Sequence, residues 1–336
     1  MLIAAALIAA AMVGLSAYLI TRTVTAPPVP ATASIPVQPA TCDAEVASRV
    51  PALEIAFSPR GPAYAATVVR GDATSRSWPR LEDLRVVVAP STTSPSREIG
   101  VGSAPSWSSS GKLLAYQTTE TALHYVIADA ATAAHVGNAL ASVRGVGWRD
   151  DRLLYFSGVD LHEFDSSGDR VVLPNILRPS DAYPAVEASF SSSGTEFVLV
   201  RYDTEGAEVF RGAIGDPALH TLGRARGAGW SPSGAHLLVV RAGAYELVGG
   251  GPPIAEGELP GPFTAWSSDG WPLFAAVPAH PGDLQQVVRW DGTRAVTFAQ
   301  AVVDPPRPFA FSSDGSAIGA VIRSGAISEL RLYSCR

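Results

Sequence analysis

Short apolar runs recur along the chain, each set off by a polar break. Leu113–Tyr116, Phe197–Val200, Leu237–Val240 and Ile318–Ile322 are only four or five residues long. Runs of that length, rich in aliphatic and β-branched side chains and bounded by turn residues, predict buried strands. The break before them is a repeated phrase. It reads FSPRG at Phe57–Gly61, WSSSG at Trp107–Gly111, WRDDR at Trp148–Arg152, FSSSG at Phe190–Gly194, WSPSG at Trp230–Gly234, WSSDG at Trp266–Gly270 and FSSDG at Phe311–Gly315. Successive aromatics are 50, 41, 42, 40, 36 and 45 residues apart. Proline fixes φ for the first turn position, glycine accepts the left-handed conformation, and Ser or Asp between them bonds the local backbone. The aromatic before the turn is large enough to fill space between neighbouring sheets.

Further strands follow in most units. After Trp107 come His124–Ile127 and a turn expected at Gly137–Asn138. After Trp148 come Leu161–Phe164, a turn ending at Gly168, and Arg170–Leu173. After Trp266 come Gln286–Trp290, the hairpin signal Asp291-Gly292, and Ala295–Phe298. Four strands in about 42 residues is one blade of a β-propeller. Beyond residue 42 no helical period persists for more than two turns. The expected fold is therefore all-β, a ring of four-stranded antiparallel blades. The 26 residues from Phe311 onward and the 15 residues from Cys42 to Ala56 together make one repeat. The N-terminal segment should then supply the missing strand of the last blade and close a seven-bladed ring. Six blades is the alternative if the WRDDR copy is not a blade.

The phrase resembles the WSPDGK-type repeat of TolB-like β-propellers, which is also found in the propeller domains of prolyl-oligopeptidase-type peptidases. The resemblance spans roughly residues 42–336 and concerns a repeat rather than a catalytic centre. Only Ser58-Pro59 and Ser231-Pro232 keep the proline, only Asp269 and Asp314 keep the aspartate, and Asp151-Arg152 stands where glycine is expected. It implies a propeller that binds protein or peptide on one face of the ring. The peptidases need an added α/β-hydrolase domain, for which residues 42–336 leave no room.

The only two cysteines, Cys42 and Cys335, stand at the two ends of the expected ring. A disulfide between them would staple it shut, worth roughly 5 kcal/mol in the chain-entropy account, and would need an oxidising compartment. The N-terminus agrees with export. Leu2–Ile20 is 19 residues without a charge, about 28 Å as a helix, enough to span a bilayer. Residues 21–41 hold five prolines and no acid, the composition of an extended spacer. Residues 1–20 are thus expected to be an uncleaved anchor, with a signal sequence cut near Ala31-Thr32-Ala33 as the alternative. The charge order runs against this orientation, since no basic residue precedes the run and Arg22 follows it. The domain plan is anchor 1–20, linker 21–41 and propeller 42–336, placed outside the cytoplasmic membrane.

Beyond residue 41 there are 24 basic and 31 acidic residues, and Lys112 is the only lysine. No basic stripe appears, which argues against nucleic acid. CxxC, HExxH, G-x-S-x-G and P-loop patterns are absent. His124, His135, His162, His220, His236 and His280 are scattered without metal-ligand spacing. Asp165–Asp169 reads as a hairpin turn rather than a calcium loop. No catalytic residue, metal or cofactor is expected. The reading is a monomeric, non-catalytic propeller that binds an envelope protein or peptide partner. The alternative is a hydrolase or lyase acting on carbohydrate or lactone from the central channel. Candidate binding residues are the aromatics outside the repeat phase and their arginine neighbours: Arg76, Trp78 and Arg80 in an expanded loop of the longest repeat, Tyr183 on a link between blades, and Trp271 after a repeat glycine, where exposure at a turn is expected.

Overall fold

In the computed structural model the phrase folds as a tight hairpin, and its first serine closes it. Ser108, Ser191, Ser231 and Ser312 are buried. Each Oγ accepts the backbone N–H five residues on, from Leu113, Glu196 and His236 at 3.1 Å and from Ala317 at 2.9 Å. The serine's own N–H donates to the carbonyl of that same residue at 2.8 to 3.0 Å. Ser267 does the same with Trp271, four residues on. Glycine ends the turn for two reasons. At Gly234 φ is +72°, and a Cβ there would stand 2.5 Å from Ser192 Oγ of the preceding blade. The third copy has neither serine nor glycine. Arg149 pairs with Arg152, and Asp150 takes the left-handed conformation at φ +57°, which short polar side chains tolerate.

The structure describes residues 42–70, 80–118, 123–204, 206–249, 253–261, 263–267, 270–275, 285–301, 309–313, 316–324 and 327–335, with the backbone alone at 42–51 and at some other strand positions, Cys335 among them. Seven four-stranded antiparallel blades form a ring. Blade one uses β1 (Cys42–Phe57), β2 (Tyr64–Val69), β3 (Leu84–Ala89) and β4 (Arg97–Val101). Blade two is β5 (Ser103–Trp107), β6 (Leu113–Gln117), β7 (His124–Asp129) and β8 (His135–Leu140). Blade three is β9 (Gly147–Arg149), β10 (Arg152–Ser157), β11 (Asp160–Asp165) and β12 (Gly168–Leu173). Blade four is β13 (Val186–Phe190), β14 (Glu196–Asp203), β15 (Gly206–Ala213) and β16 (Asp216–Ala225). Blade five is β17 (Gly227–Trp230), β18 (Leu237–Arg241), β19 (Ala244–Leu247) and β20 (Ile254–Ala255). Blade six is β21 (Phe263–Trp266), β22 (Pro272–Ala275), β23 (Gln285–Trp290) and β24 (Ala295–Ala301). Blade seven has β25 (Phe309–Phe311), β26 (Ala317–Ser324) and β27 (Ile327–Cys335), with the first half of β1 paired on β27. The WRDDR copy is therefore a true blade, and the count is seven rather than six.

The core lies between blades. Trp148, Leu153 and Tyr155 of blade three pack on Ala115 and Ile127 of blade two. On the other face of the same blade, Phe156 and Leu161 meet Phe197, Leu199 and Phe210 of blade four. Fully burying a side chain such as Phe156 contributes about 2–3 kcal/mol. The phrase tryptophans also stitch backwards, Trp107 Nε1 to Ala56 O at 3.0 Å and Trp148 Nε1 to Ser106 Oγ at 3.1 Å. Ala52, Ile55 and Tyr64 of blade one share a cluster with Val321, Leu330 and Leu332 of blade seven.

One turn differs from expectation. Gly137 and Asn138 lie inside β8, and the chain reverses at residues 130–134 instead. There Asp129 Oδ1 accepts from Ala131 N, Thr132 N and Thr132 Oγ1 at 2.7 to 3.0 Å. This Asx turn outcompetes the Gly-Asn signal. Gly137 is small for a packing reason, since a Cβ there would run into the Phe164 ring of blade three.

Candidate functional site

Strand polarity gives the ring two unlike faces. The first strand of each blade is innermost, and these strands touch from blade to blade. It ends at the phrase, so all the phrase hairpins lie on one face. The links from one blade to the next, and the hairpins between second and third strands, lie on the other, here termed the connector face.

The phrase face is a belt of turn-to-turn contacts. Gly61 N donates to Ser313 Oγ at 3.2 Å, Arg60 Nε to Ser109 O at 3.2 Å, and Ser109 N to Asp150 O at 3.0 Å. Ser110 Oγ donates to Asp151. Its polar groups are largely occupied by each other. Trp271 belongs here and is not a free turn residue. It is half-buried, and its ring lies 4.4 Å from His236 of blade five.

The connector face carries exposed arginine, tyrosine and aliphatic side chains. Exposed large apolar residues among the described ones are Leu53, Val101, Val136, Leu140, Val171 and Tyr202. Val101, Leu140 and Tyr202 sit at or next to strand ends on this face and Leu53 where β1 begins to pair with β2, whereas Val136 and Val171 lie on outer strands. Between blades three and four, exposed Arg144 stacks over the Tyr183 ring at 4.6 Å. The link is braced by Tyr183 N donating to Ser142 O at 2.9 Å. Beneath it, buried Asp181 accepts from Arg178 N at 2.9 Å and Arg201 Nε at 2.8 Å. Arg201 in turn lies over Phe210. Tyr202 Oη donates to Glu187 Oε2 at 3.1 Å, and burial with the adjacent Glu187 charge pushes its phenol up to about 12. Tyr183 is thus half-buried, its ring packed against the core between blades two and three and covered by exposed Arg144.

The other expected binding residues are separate from this cluster. Arg80 is exposed on the connector side of blade one, where Arg80 Nη1 meets Glu82 Oε1 at 3.3 Å and Arg80 N bonds Asp83 Oδ2. Arg76 and Trp78 lie outside the described residues.

A second charged cluster sits between blades three and four. Glu163 is fully buried. Arg149 Nε donates to its Oε1 at 2.9 Å and Arg170 Nε to its Oε2 at 2.8 Å, each arginine adding a second bond through Nη2. Arg152 stands 3.8 Å away. Strand alternation places Glu163 on the same face as buried Leu161, a signal present in the sequence. The partners come from other strands and could not be read there. The cluster joins strands β9, β11 and β12 and substitutes for the missing serine closure.

Among the described residues the histidines do not converge, and His280 lies outside them. Nδ1 of His124 meets Thr118 Oγ1, Nε2 of His135 meets Asn138 Oδ1, and Nδ1 of His162 meets Asp169 Oδ2. Among the described residues no group of three or more His, Cys, Asp and Glu side chains is placed to hold a metal ion. Asp165 Oδ1 accepts from Ser167 N at 2.8 Å, as in an ordinary hairpin turn.

No family model matches the chain, and no curated protein does either. Solved structures do. A chain of a mitotic checkpoint complex is 12% identical over 93% of this chain and 96% of that one, with TM-score 0.58. Pyrococcus horikoshii acylaminoacyl peptidase is 14% identical over 85% of this chain and 52% of that one, with TM-score 0.56. Acinetobacter baumannii TolB is 14% identical over 83% and 64%, with TM-score 0.46. The seven blades make the chain a β-propeller, and the likeness to the first two of these structures agrees with that fold. At such identities the likeness speaks for the fold and not for an activity.

Proposed function

We propose that this protein is a non-catalytic interaction propeller that docks a protein or peptide partner on its connector face. The observation that carries the reading is the Arg144–Tyr183 stack, in which exposed Arg144 lies over the half-buried Tyr183 ring, on a link tied down by the Asp181–Arg201 pair. Arginine and tyrosine on a rigid base lose little conformational freedom on binding and dominate interface energetics. Exposed Leu140 and Tyr202 on the same face would add apolar area. Arg80, exposed on that face, belongs to the same surface. Trp271, packed on His236, contributes less.

The proposal includes location. The uncharged run Leu2–Ile20 supports export, with the propeller tethered on the outer side of the cytoplasmic membrane and the partner an envelope protein. No helix among the described residues is long and apolar enough to cross a membrane, and Leu2–Ile20 lies outside them. Protease treatment of spheroplasts should digest the propeller. Protection until lysis would overturn the export reading.

Affinity recovery from crosslinked envelope fractions tests the binding reading. A specific partner should be recovered by the natural chain. Tyr183→Ala or Arg144→Glu should weaken its binding about 30-fold, the effect of losing about 2 kcal/mol at a hot spot. Undiminished binding by both variants would remove the site. Turnover of a glycan or lactone by the purified protein would replace the module with an enzyme.

A further inference from the structure

The seam of the ring carries a feature that reaches beyond partner binding. Strand β1 serves two blades. From Ala52 to Phe57 it pairs with β2, and from Cys42 to Pro51 it lies antiparallel to β27. The second ladder is irregular. Its register shifts between Glu45 and Ser48 and again between Ser48 and Pro51. Regular pairing is confined to its far end, where Cys42, Asp43, Ala44 and Glu45 oppose Cys335, Ser334, Tyr333 and Leu332. The outermost opposed pair is Cys42 and Cys335, the only two cysteines among 336 residues.

Placement on a ladder is a strong geometric condition. Directly opposed residues of an antiparallel pair have Cα atoms about 4.5 to 5.5 Å apart and side chains on the same face of the sheet. A disulfide requires Cα atoms about 4.4 to 6.8 Å apart. A shift of one residue in either strand would send the two side chains to opposite faces.

We propose that Cys42 and Cys335 form a disulfide that locks the N-terminal strand into the last blade and so closes the ring. Two thiols lose two protons and two electrons, and an S–S bond forms. The electrons pass by thiol–disulfide exchange to a second disulfide, that of an oxidoreductase or of oxidised glutathione, which is reduced to thiols. The bond makes ring closure dependent on the redox state of the compartment. Nothing in this step depends on the partner-binding face.

The test uses the full-length chain in mild detergent. Protein equilibrated with oxidised glutathione is denatured in acid and treated with a polyethylene-glycol maleimide. No mass should be added before reduction and two maleimides after it. A cross-linked peptide joining the Cys42 and Cys335 regions should appear in unreduced digests only. Two maleimides added to oxidised protein would overturn the bond. In thermal unfolding, reduction should lower the melting temperature of the natural chain by about 10 °C, given the long loop closed. It should leave Cys335→Ser unchanged. A bond that forms without raising the melting temperature would overturn its role as the lock, and this comparison within the natural chain does not require the variant to fold.

Discussion

Replacing Ser231 by alanine isolates the closure of a repeat hairpin. The change keeps the backbone pair between Ser231 N and His236 O at 2.8 Å and removes only the Oγ. That oxygen is buried and accepts His236 N at 3.1 Å. Its loss leaves a part-buried N–H without its acceptor, which costs about 1–2 kcal/mol. In a domain of this size each kcal/mol moves the melting temperature by about 2–4 °C, so Ser231→Ala should melt about 2–8 °C lower. The internal control is Ser233→Ala, two residues along the same phrase, whose exposed Oγ meets Ser231 Oγ at 3.1 Å and accepts from Ala235 N at 3.3 Å but closes no strand pair. It should change stability by less than about 0.5 kcal/mol. Ser108→Ala, in blade two, should repeat the Ser231 result, because Ser108 is fully buried and accepts Leu113 N at 3.1 Å. The double variant should be additive within about 0.5 kcal/mol, since the sites share no partner. Urea unfolding of the four variants measures this. An equal loss for Ser231→Ala and Ser233→Ala, or none for either buried serine, would refute the closure argument.

Glu163→Ala should cost about 3 kcal/mol by urea midpoint, because it strips the buried carboxylate from two arginines. It should fall at the low end for buried pairs, since Arg149 and Arg170 are partly exposed and reach water. Gly234→Ala should cost at least about 1 kcal/mol, through its positive φ and the collision with Ser192, whereas Gly243→Ala, with open space around it, should cost only the backbone strain. Tyr202 should titrate near pH 12 in an ultraviolet absorbance titration. Its phenol is raised in the folded state, so whatever it adds to stability is present below pH 10 and is lost as pH climbs toward 12. Glu187→Gln should move that titration down.

The ring was legible because the phrase repeats a local chemistry. The aromatic, the serine and the glycine each satisfy a need met within one hairpin or between adjacent blades, so spacing alone exposes them. The Asp291-Gly292 hairpin was equally local. Gly137–Asn138 misled because Asp129 offers a stronger turn eight residues earlier and because Gly137 serves Phe164 of another blade. The Arg144–Tyr183 stack was half visible. Tyr183 stood out between Asp181 and Pro184, but its partner lies on the preceding link, and nothing in the sequence joins the two. Arg149, Glu163 and Arg170 meet only once three strands are aligned. Trp271 looked exposed because it follows a turn, while its ring is taken up by His236.

The central claim is that the connector face, and not the phrase face, holds the partner. Site-resolved photo-crosslinking measures this, with a photoreactive residue placed singly at Leu140, Tyr202 and Arg226 on the connector face and at Ser233, Thr293 and Ser94 on the phrase face. The account predicts one shared crosslinked protein from the connector positions and none from the phrase positions. The same protein captured from the phrase positions alone would contradict it.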